Sequence, residues 1–427
     1  MLEIKMKAIS KFLRSSLTKS GGFIMAKSVT PHKTLLKFGI LSISTMLQDA
    51  GAISVAVVGM VAAFSNHSSA SVQALVTLPS FSMMLFILLN SLAVKFFGKR
   101  NTVFIGLGLA LVGGVAPAFV SNFTAIQFCR FLYGAGTGLY TPLAVSLIGD
   151  FFTGDEQRNL LGIQAAVSAL GSSLMTFFAG LLVSVEWHTT FLVYLAAVPV
   201  IILFFIGYPK DSQVKQGTTE EQTQAEDASG SKRLPVLVIV GMMMLFVYFS
   251  TIMALYTNSG LAIKQLNLSN QGFLGTALSI AGLISALLTA AYGPIFKVLK
   301  HYTPVVILAI GALGFLGMSR VSNMFMFTVY AVMVSATSLL IPYVYSTVLD
   351  SASGAAKNFA ISIAMVLNNL GAYVSPYVLA FLGKATGMTD PTSSFVICMV
   401  LMLFLAIVFL FLAIGRRHQA MTPAAKA

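Results

Sequence analysis

Twelve long apolar runs separated by short polar breaks constrain this chain more than any other feature. They fall near residues 36–62, 73–97, 102–120, 125–149, 159–184, 190–208, 234–257, 272–296, 303–319, 325–349, 358–383 and 393–414. Each is close to the roughly 17 to 25 residues that cross a bilayer as helix. Backbone in hydrocarbon must hydrogen-bond to itself, so these runs predict transmembrane helices and an all-α membrane protein. Charged residues make up only 9% of the chain, where soluble domains carry about 25%, and a water-soluble globule is excluded. Lys and Arg outnumber Asp and Glu by 26 to 13. They sit between the runs rather than on a patch of their own, which favours a membrane and argues against nucleic acid. Cys129 and Cys398 both lie inside apolar runs, so they read as packing thiols and offer neither a disulfide framework nor a zinc site. No cofactor or metal is expected.

An even number of spans puts both termini on one side. If that side is the cytoplasm, 22 of the 26 basic residues are internal, and only Lys264, Arg320 and Lys384 are external. The positive-inside rule therefore predicts a multi-pass protein of the cell membrane with both termini cytoplasmic. Residues 1–34 place Leu2, Met6, Ile9, Leu13 and Leu17 at helical spacing among basic residues. They form either an amphipathic segment on the inner surface or a mobile tail, with Met25 the functional start. Residues 209–233 mix both charge signs with Gly, Ser, Thr and Gln, the composition of a solvated cytoplasmic linker. It separates a six-helix bundle at 35–208 from a second at 234–414, and a cytoplasmic tail follows at 415–427.

The two bundles can be laid over each other by adding 200 to the residue number. Thr137 then meets Thr337, Pro142 meets Pro342, Ser146 meets Ser346, Asp150 meets Asp350, and Leu170–Gly171 meets Leu370–Gly371. Two six-span repeats form the layout of a transporter whose central site lies between them. Pro142 and Pro342 loosen spans 4 and 10 at matching depth, as hinges or as static kinks.

Of the acidic residues only Asp49 lies in the middle of a span, and of the basic residues only Arg130 lies well inside one. An isolated charge in hydrocarbon costs at least about 2.5 to 3.5 kcal/mol, so each needs a partner or a wet cavity. At 1.5 Å per residue, both sit about 20 Å above the inner face. They are read as a pair, either coupling proton release to the conformational cycle or fixing spans 1 and 4 permanently.

Around Arg130 the sequence reads RFLYGAGTGLYTP. Gly134, Gly136 and Gly138 permit close helix approach. Arg130, Gly134 and Gly136 match the RxxxGxG pattern in the fourth span of the major facilitator superfamily, which this chain resembles over nearly its whole length. The resemblance implies that family's fold of two six-helix pseudo-repeats and its alternating-access cycle. The loop after span 2, SLAVKFFGKRNTV, is similar to the family's loop signature in Gly98, Lys99 and Arg100. Ser91 and Lys95 depart from it, and the usual acid is absent. By resemblance, Lys99 and Arg100 engage Asp150 at a gate, with Asp350 at the matching place in the second half; the alternative is positive-inside anchoring alone. GPIFKVLK repeats the loop, with Gly293 and Lys297 at comparable positions. Span 5 retains Gly171 and Gly180 but lacks the Gly-Pro pair of the family's antiporters.

In this family spans 1, 4, 7 and 10 line the cavity. The candidate substrate contacts are therefore Gln48, Tyr133, Thr137, Tyr140, Phe246, Tyr248, Tyr256 and Tyr343, with Asn368 and Asn369 nearby on span 11. Thr45, Phe249, Tyr330 and Tyr345 belong to the same pool. One ion pair among many rings suits an amphipathic organic molecule better than a sugar or polyanion. The sequence thus predicts a monomeric, non-enzymatic secondary transporter for a small-molecule substrate, in contact with membrane lipid and exporting by proton coupling. The alternative is an uptake or exchange carrier for an organic anion, such as a carboxylate or bile-acid-like amphiphile.

Overall fold

The computed structural model describes residues 31–47, 51–208, 236–268, 271–351 and 355–421. Residues 1–30, the linker 209–233, and both Gln48 and Asp49 lie outside them. The described secondary structure is helical throughout, and ten stretches are long and apolar enough to cross a membrane. Large side chains such as Phe96, Phe119, Phe381 and Phe411 are exposed, as expected of a surface whose solvent is lipid.

The longest stretch, Ser69–Val115, contains spans 2 and 3. A straight rod from Pro79 to Gly113 would be about 50 Å long, yet both ends reach the same part of Phe123–Phe151, which is span 4. A Cβ on Gly134 would overlap Pro79, and one on Gly113 would lie 2.5 Å from the Tyr133 nitrogen. The rod therefore doubles back. It does so at Gly98, whose φ of 76° and ψ of 157° lie where only glycine rests without penalty. In the second half Gln271–Ala290 and Tyr292–Leu299 lead to a comparable turn at Lys300, φ 48°, before Thr303–Ser319. With Gly293 laid on Ser91, Lys300 falls on Gly98. Gly293 itself is helical, with open space around it.

Span 1 departs from the continuous helix predicted for it. Pro31–Ile43 is α-helical, Ser44–Met46 and Ala52–Ala56 are 3-10, and Val57–Ala63 is α-helical again. Ser42 Oγ donates to the Gly39 carbonyl at 2.8 Å and Thr45 Oγ1 to that of Ser42 at 2.7 Å. Such hydroxyls compete with the helical ladder, and Gly51 follows. Span 6 likewise begins as 3-10 helix, His188–Ala196, before Ala197–Gly207. The two prolines differ. Span 4 runs through Pro142 as one α-helix, whereas in span 10 a 3-10 stretch, Ala336–Leu339, precedes Leu340–Ser351, which contains Pro342.

Packing repeats between the halves. In Gly154–Leu182, span 5, a Cβ on Gly171 would strike the backbone of Thr45 in span 1; in Ala355–Thr386, span 11, one on Gly371 would strike the Phe246 carbonyl in span 7. The halves meet toward the face opposite the termini. There Thr77 Oγ1 donates to the Tyr373 carbonyl at 3.1 Å, Gln73 Nε2 to Asn258 Oδ1 at 3.4 Å, and Ser279 Oγ to the Ser173 carbonyl at 2.8 Å. Gly180 and Gly275 bring spans 5 and 8 into backbone contact at the same level.

Candidate functional site

Spans 2 and 4 run parallel in constant register for three turns: Leu75 beside Arg130, Pro79 beside Gly134, Met83 beside Gly138. Gly136 faces the other way, where a Cβ would overlap the Gly106 carbonyl of span 3. The spacing around Arg130 is thus a packing code that presses one helix between two others.

Arg130 is completely buried. Its Nε donates to the Leu75 carbonyl at 3.1 Å, and its Nη1 to Tyr194 Oη at 3.3 Å. The guanidinium lies 4.7 Å from the Tyr133 ring centre, 5.4 Å from that of Tyr194 and 6.0 Å from that of Phe191, within reach for cation–π attraction. Nη2 has no hydrogen-bond partner among the described residues, and no described carboxylate forms an ion pair with this arginine. The expected partner, Asp49, lies outside them, as does Gln48. Tyr194 and Phe191 lie on span 6 and the Leu75 carbonyl on span 2, outside the four spans to which the resemblance points, so none of the three is among the candidates that the sequence offers.

The other candidates divide into small groups. Tyr140 Oη donates to the Met46 carbonyl at 2.7 Å, tying span 4 to the 3-10 stretch Ser44–Met46 of span 1. Thr137 Oγ1 lies 2.9 Å from the Gly134 carbonyl of its own helix. Tyr248 Oη and Thr337 Oγ1, on spans 7 and 10, are 3.1 Å apart. The ring of Tyr256 covers Gly51, where a Cβ would lie 3.0 Å from it, so the second half touches the first beside the 3-10 stretch Ala52–Ala56. Asn368 Nδ2 donates to Tyr345 Oη at 2.9 Å, while its Oδ1 is buried without a hydrogen-bond partner among the described residues. Asn369 Nδ2 returns to the Met365 carbonyl. Phe246 is half-buried, its carbonyl accepting from Ser250. Tyr343 packs against the rings of Phe296 and Phe409 within the second half.

At the face bearing the termini, Lys99 Nζ meets both Asp150 oxygens, at 2.8 and 3.1 Å. Arg100 does not join them. Its guanidinium lies over the rings of Phe104 and Phe205, at 5.2 and 5.9 Å, because it projects one residue further around the turn. A second bridge, Lys37 Nζ to Glu156 Oε1 at 2.7 Å, ties span 1 to span 5. Asp350 lies in the last turn of Leu340–Ser351, and its side chain is outside the described part.

The architecture is shared with solved transporters. A POT family transporter in complex with 5-aminolevulinic acid superposes with a TM-score of 0.69 at 11% identity, covering 90% of this chain and 96% of its own. A D-xylose-proton symporter gives 0.66 at 14%, covering 88% and 95%. Among curated proteins, the multidrug transporter protein MdtP of Bacillus subtilis (strain 168) is 30% identical over 122 residues, 28% of this chain and 22% of its own length. Multidrug resistance protein 3 of the same organism is 24% identical over 144 residues, 34% and 27%. The matched stretches thus span about a quarter of those relatives. The sequence model described as Major Facilitator Superfamily matches residues 38–319, well over half the chain. Helical repeats, the packing code of span 4 and this match agree, and the chain belongs to the major facilitator superfamily of membrane transporters.

Proposed function

We propose that this chain is a proton-coupled secondary transporter that exports small amphipathic organic compounds across the cell membrane, with its termini in the cytoplasm. The observation that carries the reading is the buried guanidinium of Arg130, held by a carbonyl and three rings and leaving Nη2 uncommitted. A buried charge of this kind calls for an anion, and Asp49 is the one acid in the middle of a span. Cycling Asp49 between paired and protonated forms would couple proton movement to alternation. Carriage of drug-like compounds is supported by the names of the two Bacillus relatives, a multidrug transporter and a multidrug resistance protein, and by the tyrosines beside span 1, Tyr140 and Tyr256. Tyr133, Tyr140, Tyr248 and Tyr256 are the substrate contacts in this reading, with Lys99 and Asp150 bracing the face of the termini.

The test is transport of ethidium in right-side-out vesicles under an imposed pH gradient. Export driven by inward proton flow supports the reading, whereas ethidium accumulation driven by the same gradient overturns the direction. Asp49→Asn is expected to abolish uphill transport while retaining exchange; full uphill transport by that variant removes Asp49 from the mechanism. A second reading, carriage of an organic anion, is favoured by the same Nη2, whose N–H groups are open to a carboxylate. In that case a carboxylate substrate, not Asp49, would protect Arg130 from exchange.

A further inference from the structure

The acceptor that holds Arg130 is an unusual one. In an α-helix the Leu75 carbonyl would receive the N–H of residue 79, but residue 79 is Pro79, inside Ser69–Val115, and proline has no N–H to give. The Leu75 oxygen is thus left without its ladder partner in a buried part of the bundle, where an unmet carbonyl is costly. It is this oxygen that accepts from Arg130 Nε at 3.1 Å. The approach is set by the next turn, where Gly134 has no side chain and lets Pro79 pack directly on span 4.

We propose that Pro79 is the positioning residue of Arg130: by withholding its amide proton it reserves the Leu75 carbonyl for the guanidinium. With Nε committed to span 2 and Nη1 to Tyr194 Oη, the planar fork has one orientation. Nη2 is the edge left for the anion. The proposal rests on the coupling role of Arg130 for its consequence in transport, but not for its geometry.

Pro79→Ala restores a backbone N–H that competes for the Leu75 oxygen and removes a helix breaker. The full-length protein, with arginine labelled by 15N, reads this directly. In the parent the Arg130 Nε–H resonance, assigned by its loss in Arg130→Lys, lies downfield as a carbonyl-bonded donor. In Pro79→Ala it is expected to lose that shift, while the melting temperature in detergent does not fall. Replacing Pro79 by lactate, an ester that lacks the N–H as proline does, is expected to keep the shift. An unchanged resonance in Pro79→Ala, or equal loss in the alanine and lactate variants, overturns the proposal; if the alanine variant fails to fold, Pro79→Gly, which likewise restores the N–H, is compared with the lactate variant in its place. Uphill ethidium transport is expected to drop about tenfold in Pro79→Ala, the scale of a lost charge-assisted hydrogen bond. A lost shift with undiminished transport would leave the positioning intact and instead remove Arg130 from the coupling step.

Discussion

At the scale of single residues, the two turns that fold spans 2 and 8 back on their successors show how one backbone requirement is met differently. Gly98 takes φ 76° and ψ 157°, and Lys300 takes φ 48° and ψ −127°. A side chain at such angles costs about 1 to 3 kcal/mol. Lys300→Gly is therefore expected to raise the melting temperature of the purified protein, and Gly98→Ala to lower it. Equal or opposite shifts in a thermal unfolding series would show that neither turn is under backbone constraint. The Lys99–Asp150 bridge is a weaker lever: its side chains remain about a quarter exposed, and such pairs contribute at most about 1 kcal/mol. It was legible only through the likeness of Gly98, Lys99 and Arg100 to the family's loop signature, which implies an acid partner at the end of span 4. The departure of Arg100 was not, since a choice between a carboxylate and two rings depends on a projection angle that spacing alone leaves open.

At the scale of elements, span 4 carries the most information per residue. Arg130, Gly134 and Gly138 are one turn apart and face span 2, while Gly136 is turned toward span 3. A methyl group on Gly134 has nowhere to go, because both neighbours are backbone or a short serine side chain. Gly134→Ala is expected to cost about 1 to 3 kcal/mol, as overpacked cores do, and to lower ethidium transport with it. Gly108→Ala in span 3, where a Cβ meets nothing within 4 Å, serves as the control and is expected to be neutral or stabilising. Matched losses in unfolding free energy for the two would disprove the packing code. The apolar runs and the glycine spacing made the helices and their contacts readable from sequence. The 3-10 winding of Ser44–Met46 and Ala52–Ala56 in span 1 is not legible, because the apolar pattern continues through Ala52–Ala63 and only the hydroxyls of Ser42 and Thr45, bonding to carbonyls, hint at it. The place of Tyr194 in the arginine cage escaped for a different reason: it depends on which face of span 6 turns inward, and a helix apolar all round does not announce one.

At the scale of the whole molecule, the repeat has a consequence for which state the halves adopt. Hydrogen bonds between them lie toward the face away from the termini, through Gln73, Thr77, Ser173 and their partners. The closest approach is glycine on glycine: a Cβ on Gly180 would lie 2.8 Å from the Gly275 Cα, and one on Gly272 2.9 Å from Ser184 Oγ. With no strong hydrophobic drive between helices in lipid, association rests on such close packing. In the alternating-access cycle that the proposed function requires, a bulky residue at this seam acts on one conformation alone, because that cycle parts the halves at this face. Gly180→Leu is expected to hold the halves apart there while leaving the packing within each half intact. Spin labels at Val185 and Met388, both exposed and on opposite halves, report this in a background with Cys129 and Cys398 replaced by serine. The distance between them is expected to lengthen in Gly180→Leu relative to the parent, with uphill ethidium transport lost and the melting temperature nearly unchanged. An unaltered distance distribution would mean that spans 5 and 8 do not form the seal, and that closure is carried by span 2 against span 11.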